Sequence, residues 1–405
     1  MKVMSLRNAK ITFTSNVGAD AISARDSSVC FVGTPESIVR NSGENGFRPY
    51  KLGIVVVIFL TILLLFSCSP ISVQFETFEV MNATANSQII TMSNARGREL
   101  NAQIGEILSE VEGRISRHIN SSEIGRINEL NNSASHFALS SETAHLLRFV
   151  QNVQTATGGA FSPTLGEIKD LWNISDQNEN PTLPLLREFT PALERSRGRF
   201  TVSDDDRYTT YGYDFIMDLD HIAKGYALNQ VSRYLEREGV RNAFVSFDRA
   251  AYLALGRDRR GELWQIEVRD PLNLDTTVGV IQASDKFIAI VTGYERYITI
   301  DGINYIRIID PLTGYPVDND VLAVVVITDA PSASMSREQR DRFSDNGTLA
   351  SSLAHALFVM GRQGAVEFHM SSMFDFEMIL FTRSDTEPRG YEILRTNVIF
   401  YEIGG

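Results

Sequence analysis

The sequence predicts one compact domain of α+β or mixed α/β type, spanning residues 68–405 behind a distinct N-terminal segment. Four stretches carry apolar residues at helical spacing, and nine short runs rich in Val, Ile, Phe and Tyr are typical of strands. Helices and strands are intermixed, without an internal repeat. With 405 residues and 43% hydrophobic side chains, the chain can bury a large core.

The N-terminal segment has two parts. Residues 1–47 are polar without periodicity, and we expect the true start site to lie downstream of this extension. Residues 48–67 hold the most hydrophobic run of the chain, behind Arg48 and Lys51. The run is shorter than the roughly 20 residues of a spanning helix, and its length is typical of a signal sequence.

The hydrophobic run ends in Leu65-Phe66-Ser67-Cys68, which resembles a bacterial lipobox. The Cys of a lipobox is acylated and becomes the mature N-terminus, so we expect Cys68 to carry a lipid anchor. The alternative is a single membrane anchor that is never cleaved. Both interpretations place residues 68–405 outside the cytoplasmic membrane, facing the periplasm.

The helices are predicted from apolar faces and capping residues, over approximately residues 96–117, 141–157, 221–237 and 348–361. Ser140 or Ser141 supplies the N-cap of the second helix, and Gly239 ends the third. Two polar stretches, residues 175–198 and 330–347, are predicted as loops.

The predicted strands follow in close succession after the third helix. They are AFVSF, AYLAL, WQIEV, FIAIV, YITI, YIRII and LAVVVIT, with FEMILFT and YEILRT after the last helix. The short spacing between them predicts mostly antiparallel pairing.

Charge and composition exclude some functional classes. The formal charge of −12 argues against the basic surface of a nucleic-acid-binding protein. The sequence has no HExxH motif, no P-loop and no cysteine cluster, and its six histidines are scattered. A His-rich zinc site is therefore not predicted.

Two stretches carry residues suited to a nucleotide site. In DLDHIAKGYALNQV, a tight turn leads into a helix whose free backbone N–H groups, with Lys224 in the first turn, attract anions. In GYERYITIDGINYIRIIDPLTGYP, Glu295 and the turn at Asp310 lie one strand pair apart, so we expect them at one sheet end. The alternatives are a solvated lysine and an ordinary Asp-Pro-Leu-Thr-Gly turn.

Ser351 and His355 lie four residues apart in the fourth helix, so their side chains share one face. The surrounding positions are apolar and predict burial. The pair is either packing or the remainder of a site.

Eight short motifs occur along the chain, and their order indicates a family. They are spread across almost all of residues 76–401 and are FEVMNAT, SRHINSSEIGRIN, TGGAFSPTLGEIKDLW, DLDHIAKGYA, WQIEVRDP, YER, IIDPLTGYP and SSLAHALFVMG. In this order they resemble the motifs of the ApbE family, the FAD:protein FMN transferases. A lipobox is also typical of that family.

The resemblance implies a flavin-transferase fold and an enzyme that binds FAD. Such an enzyme splits the pyrophosphate of FAD, attaches FMN to a Thr or Ser hydroxyl of a partner protein and releases AMP. Mg²⁺ would neutralise phosphate charge in that reaction. The partner would be a flavin-accepting redox protein or a subunit of a membrane complex.

The resemblance also implies residue roles. Lys224, Gly225 and Tyr226 belong to the flavin-nucleotide loop, and Asp218 is the acid that opens it. The residues expected to line or brace the cofactor cleft are Met81, Thr84, Tyr294, Glu295, Arg296, Asp310 and Gly314.

Some matched positions differ from the family pattern in charge. Asp220-His221 and Asp248-Arg249 each replace a glycine pair, which removes backbone freedom. Arg307 replaces a His that helps to remove the acceptor's proton; arginine cannot act as that base but can hold a phosphate. The resemblance therefore implies Asp218 and Arg307 as the catalytic residues.

The predicted metal site differs as well. Ser351 and His355 replace an Asp and a Thr that bind Mg²⁺, so we expect a degenerate site with weak or absent Mg²⁺ binding. An alternative is that Asp345, in the preceding loop, supplies the carboxylate. Two further functions therefore remain open beside FMN transfer: a non-catalytic lipoprotein that binds flavin or another nucleotide, and an FAD-hydrolysing variant.

Overall fold

The computed structural model describes residues 72–130, 137–175, 178–212, 214–332 and 334–403. Cys68 and the hydrophobic run before it lie outside these ranges, so the lipid anchor stays a prediction. In the part of the chain that is described, no helix is long and apolar enough to cross a membrane.

The described residues form eight helices and sixteen strands. The helices are α1 Asn94–Ile115, α2 Glu123–Leu130, α3 Ser141–Ala156, α4 Gly166–Trp172, α5 Leu186–Arg195, α6 Asp220–Arg237, α7 Arg337–Phe343 and α8 Asn346–Ser371. The strands are β1 Ser72–Val80, β2 Ala83–Thr91, β3 Phe137–Ala138, β4 Arg199–Val202, β5 Arg207–Tyr211, β6 Ala243–Phe247, β7 Ala251–Leu255, β8 Trp264–Asp270, β9 Asn273–Ala283, β10 Lys286–Thr292, β11 Tyr297–Ile300, β12 Ile303–Ile306, β13 Val321–Asp329, β14 Glu377–Arg383, β15 Tyr391–Arg395 and β16 Phe400–Glu402.

An eight-stranded sheet, in the order β1-β2-β6-β7-β10-β13-β14-β15, forms the centre of the domain. Each neighbouring pair in it is antiparallel. Smaller sheets are formed by β16-β9-β8, by β3-β5-β4 and by the hairpin β11-β12. The prediction of a mixed α/β domain with mostly antiparallel strands is therefore confirmed.

Both faces of the large sheet are covered. On one face, Val324 and Val326 of β13 join the core formed with α1, α6 and α8. On the other, Val325 and Ile327 pack into a second core with β8, β9 and β16. Because side chains of a strand alternate between faces, the uninterrupted apolar run of β13 is explained by burial on both sides.

The contact between α6 and α8 places the starts of these helices side by side. Asn229 of α6 donates to Thr348 Oγ1 at 2.6 Å and accepts from the Gly347 N–H at 2.8 Å. One turn earlier, a Cβ on Gly225 would collide with the Gly347 carbonyl oxygen and with Ser351 Oγ. Glycine at 225 thus permits a backbone approach that a larger residue would prevent.

The predicted helices and strands are confirmed in type and approximate position, and Ser140 is the N-cap of α3. The two predicted loops were wrong in part. Residues 175–198 contain α5, and residues 330–347 contain α7 with a capping box at Ser336. Helix α8 also continues to Ser371, past a break at Gly361, where φ is 72°.

Candidate functional site

A cavity of about 1310 Å³ opens between the β1–β2 turn, the start of α6, the β6–β7 turn and the first half of α8. It exceeds the roughly 300–1,000 Å³ of a pocket for a drug-sized ligand, so it has room for a dinucleotide. Its lining charges are balanced, with five acidic and five basic side chains. They are Glu79, Glu112, Asp220, Asp248, Glu295, Lys224, Arg249, Arg269, Arg296 and Arg307.

The β1–β2 turn forms one wall. Met81 and Asn82 both adopt left-handed φ, at 55° and 52°, and the Met81 N–H donates to Glu112 Oε1 at 3.0 Å. Thr84 donates its hydroxyl to Glu79 at 3.0 Å and its N–H to Asp248 Oδ1 at 3.0 Å. Both Met81 and Thr84, which the resemblance assigned to the cofactor cleft, therefore line the cavity.

Asp248 ties this turn to α6. Its backbone N–H donates to the Thr84 carbonyl at 2.8 Å, and its Oδ2 accepts from Lys224 Nζ at 3.1 Å. Its φ of 45° lies in the left-handed region that glycine favours. Asp248 thus adopts the left-handed backbone conformation without being a glycine. Its carboxylate also pairs with Lys224, which the sequence predicted as part of an anion site or as a solvated lysine.

Asp218 lies outside the large cavity. Its side chain is 1% exposed, with Lys169 Nζ at 2.9 Å from Oδ1 and Arg117 Nε at 2.9 Å from Oδ2, although the Arg117 N–H is not aligned as a hydrogen bond. Burial alone would raise the carboxyl pKa, but Lys169 and Arg117 outweigh it and hold the pKa of Asp218 at about 2. Oδ1 also accepts from the Asp220 N–H at 2.9 Å, so this carboxylate already occupies part of the anion-binding end of α6.

A smaller cavity of about 260 Å³ adjoins the first. The two share His118, Asp220 and Arg307 in their linings. Arg307 Nη2 lies 3.9 Å from Asp220 Oδ2, and His118 Nε2 lies 3.9 Å from the same oxygen. Arg307, predicted as catalytic, therefore lies at the junction of the two cavities beside an aspartate that the family pattern lacks.

Ser351 and His355 both line the large cavity, and His221 joins them. The rings of His221 and His355 have centroids 4.1 Å apart. Burial lowers the pKa of His355 to about 4 and that of His221 well below its usual value, so both imidazoles are neutral at pH 7. The motif comparison identified His221 only as the replacement of a family glycine, and it did not link His221 to His355.

Glu295 and Arg296 line the large cavity, but five other residues assigned to the cofactor site do not. They are Gly225, Tyr226, Tyr294, Asp310 and Gly314. Gly225 is in the α6–α8 contact, Tyr226 is buried in the main core, and Tyr294 packs against the second core.

Asp310 and Gly314 are explained by a turn. Asp310 Oδ1 accepts from the Leu312 N–H at 2.9 Å, and its Oδ2 accepts from the Thr313 hydroxyl at 3.0 Å. Gly314 has φ of 72°, and its carbonyl accepts from Trp172 Nε1 at 2.8 Å. Both residues thus stabilise the Asp-Pro-Leu-Thr-Gly turn beside a small third core that includes Ile168, Trp172 and Phe189. The alternative interpretation of this stretch predicted such a turn.

Asp345 does not supply the missing carboxylate. Its oxygens lie 2.7 Å from His145 Nε2 and 2.7 Å from Arg233 Nη2, outside the cavity lining. The described residues contain no cluster of three or more His, Cys, Asp or Glu side chains that could hold a metal ion. Since Mg²⁺ prefers octahedral oxygen ligands, Ser351 with two imidazoles does not fit it.

Comparison with known proteins gives the family. The model of the ApbE family matches residues 81–380 of this chain. This protein belongs to the ApbE family. The family match runs from the β1–β2 turn into β14, and it includes the lining of the large cavity except Glu79 and Val80.

Curated relatives are similar over most of their own length. An FAD:protein FMN transferase of Vibrio cholerae is 27% identical over 275 residues, covering 67% of this chain and 82% of the relative. One of Salmonella typhimurium is 23% identical, covering 69% of this chain and 79% of the relative.

Solved structures share the fold. The flavin transferase ApbE of Vibrio cholerae aligns with a TM-score of 0.67 and 24% identity, covering 81% of this chain and 98% of that one. The ApbE protein of Thermotoga maritima aligns with a TM-score of 0.65 and 24% identity, covering 80% and 97%.

Proposed function

We propose that this protein is an FAD:protein FMN transferase that binds FAD in the large cavity. The observation that carries this proposal is a cavity of about 1310 Å³ that is lined almost entirely by residues of the family-matched region, Lys224, Arg249 and Arg296 among them. Guanidinium and ammonium groups there would hold the pyrophosphate.

In the proposed reaction, a hydroxyl oxygen of a partner redox protein attacks the phosphorus of the FMN half. The phosphorus–oxygen bond to AMP breaks, AMP leaves, and the hydroxyl proton goes to a base. Arg307 cannot accept that proton at neutral pH. We assign this role to Asp220, whose partly exposed carboxylate faces the cavity 3.9 Å from Arg307. Arg307 then stabilises charge on the transferred phosphoryl group.

We further propose that residues 68–405 form the mature domain, attached to the membrane through lipid on Cys68 and facing the periplasm. The position of a cysteine directly behind the hydrophobic run supports this. The acceptor would then be a periplasm-facing redox protein or membrane-complex subunit.

The test is incubation of the purified protein with FAD, a divalent cation and a flavin-accepting protein, followed by a denaturing gel viewed under ultraviolet light. A fluorescent acceptor band together with released AMP is the expected result. Asp220→Asn should reduce the initial rate by about 10²–10⁴-fold, the usual contribution of a general base, while FAD binding is retained. Absence of acceptor labelling with every cation tried would refute transfer.

A second candidate function is nucleotide binding without transfer. It is favoured by the Ser351 hydroxyl and the His355 imidazole, which stand where oxygen ligands for Mg²⁺ would be needed. Saturable quenching of flavin fluorescence without a labelled acceptor would support this candidate. Release of FMN and AMP without labelling would instead indicate the FAD-hydrolysing variant.

A further inference from the structure

We propose that an apolar surface beside Arg307 is where the flavin-accepting protein docks. The surface is formed by Leu186, Tyr305, Leu312 and Tyr315, and we call it the docking surface. This inference rests on the proposed FMN transfer, and it adds which part of the molecule the second substrate contacts.

The docking surface lies next to the junction of the two cavities. Arg307 is at that junction, Tyr305 precedes it by two residues, and Leu312 follows it by five. A chain of that length spans at most about 18 Å. A standard interface covers about 800 Å² on each partner, which corresponds to a diameter of about 32 Å. One interface can therefore contain Arg307 and both flanking side chains.

Aromatic contacts around Trp172 make the docking surface continuous. The ring centroid of Trp172 lies 5.2 Å from that of Tyr305 and 5.3 Å from that of Tyr315. Tyr315 also contacts Phe189 at 5.0 Å, one turn along α5 from Leu186. Because Trp172 is buried and lines the small cavity, the docking surface shares a wall with that cavity.

The apolar side chains of the docking surface are open to solvent. Leu312 is 75% exposed, Leu186 is 71% exposed and Tyr315 is 44% exposed. Exposed apolar side chains that lie together mark interaction sites, and the cores of protein interfaces are rich in aromatic residues. This composition fits a protein partner better than a small polar ligand.

The identity of the partner follows from the size of the small cavity. In the proposed reaction, FAD occupies the large cavity and the acceptor is a folded protein. The small cavity holds about 260 Å³, less than the roughly 300–1,000 Å³ of a pocket for a drug-sized ligand, so a protein cannot enter it.

The hydroxyl of the acceptor therefore has to reach the junction from outside. The side chains of Arg307 and Asp220 are 41% and 37% exposed there, so the approach is open. A protein whose hydroxyl reaches these two side chains rests on the surface around them. We expect the acceptor to carry apolar side chains near its Thr or Ser.

The experiment measures the kinetics of FMN transfer by the full-length protein to a purified flavin-accepting subunit of a membrane redox complex. The double variant Leu186→Ser, Leu312→Ser should raise KM for this acceptor by about tenfold or more. Its affinity for FAD, measured by titration of flavin fluorescence, should stay within about twofold of wild type, because neither leucine lines a cavity.

The matched control is the double variant Met370→Ser, Met373→Ser. These methionines are 72% and 87% exposed, line neither cavity and lie at the far end of α8 and just beyond it. KM for the acceptor should be that of wild type. A benzophenone side chain introduced at position 312 should also crosslink to the purified acceptor under ultraviolet light, whereas one at position 373 should not.

The outcomes separate this inference from the proposed function. If wild-type protein labels no acceptor, FMN transfer is refuted and the docking surface with it. If wild type labels the acceptor and the leucine variant has an unchanged KM, the docking surface alone is overturned. A dimer that the leucine variant abolishes in analytical ultracentrifugation would assign the surface to a second copy of this chain and would also overturn it. Circular dichroism checks folding, and Leu186→Gln with Leu312→Gln replaces a misfolded variant.

Discussion

Two polar clusters lie beside the start of α6, and they differ in whether their members carry paired charges. Asp218 is buried as a charge and is neutralised by Arg117 and Lys169. Three residues later, His221 contacts His355 with both rings neutral, and no charged partner compensates them. The first arrangement pairs opposite charges, whereas in the second His355 Nδ1 donates to the Ser351 carbonyl and the His221 ring makes no hydrogen bond among the described residues. Removal of one partner from a paired cluster leaves a buried charge, whereas unpaired polar groups beside a cavity are candidates for ligand contacts.

The largest effect is expected from breaking the paired cluster. Asp218→Asn leaves Arg117 and Lys169 buried without their counter-charge, and loss of one partner of a buried ion pair usually costs about 3–5 kcal/mol. Urea denaturation should show a loss of that size in the free energy of unfolding. Asp205→Asn, at an exposed ion pair with Arg207, should change the free energy of unfolding far less, because water already solvates and screens that pair. Equal losses of unfolding free energy in the two variants would show that the buried Asp218 cluster contributes no more to stability than an exposed ion pair.

The next effect comes from the contact that brings the histidines together. Gly225→Ala places a methyl group against the Gly347 carbonyl, and such overpacking usually costs about 1–3 kcal/mol. Thermal denaturation should show the loss. Gly113→Ala in α1 is the control, because nothing lies within 4 Å of the added methyl. That substitution should stabilise the protein by about 0.5–1 kcal/mol through helix propensity; a stabilising Gly225→Ala would mean that α6 and α8 separate easily.

The third prediction concerns the affinity for FAD, through Lys224 in the cavity wall. Lys224→Ala should weaken FAD binding by about 1–3 kcal/mol, the scale of a hydrogen bond to a charged group. Titration of flavin fluorescence measures this. Lys286→Ala is the control, since Lys286 is likewise paired with an aspartate, Asp329, but lies outside the cavity. If both variants bind FAD as wild type does, Lys224 only stabilises the turn through Asp248.

The last effect depends on pH. Burial lowers the pKa of His355 to about 4 in the folded protein, against about 6.5 in the unfolded chain. The unfolded state therefore binds the proton first as pH falls, and stability should decline between about pH 6.5 and 4. His355→Thr should make the decline shallower in denaturation curves across this range. An unchanged slope would show that the His355 ring is readily solvated on protonation.

The sequence predicted the core better than the surface elements. The spacing of Leu100, Ile104 and Leu108 repeats the helical period, and all three are fully buried in α1. Helix α5 was missed because Pro191 and many polar residues obscure its short apolar face. Helix α7 was missed because it buries no residue, so no apolar period marks it.

The site was predicted in part, because motifs show which residues are present but not which partners they meet. Arg117 and Lys169 stood within the motifs SRHINSSEIGRIN and TGGAFSPTLGEIKDLW, yet nothing local indicates that both reach Asp218. The pairing of His221 with His355 depends on a helix contact between residues far apart in sequence. Such contacts are set by tertiary packing, which single-sequence patterns do not encode.

The break at Gly361 separates α8 into two halves with different surroundings. Its φ of 72° ends the first half, and Asn319 Nδ2 donates to the Phe358 carbonyl at 2.8 Å, which holds the end of that half in place. The Arg362 N–H turns instead to Asp320. The half that carries Ser351 and His355 therefore has its own fixed end at Phe358. Substitutions at the exposed positions Arg362, Gln363 and Glu367 should leave the histidine pair in place, whereas Ala365 is buried in the same core as Leu353 and has to stay small.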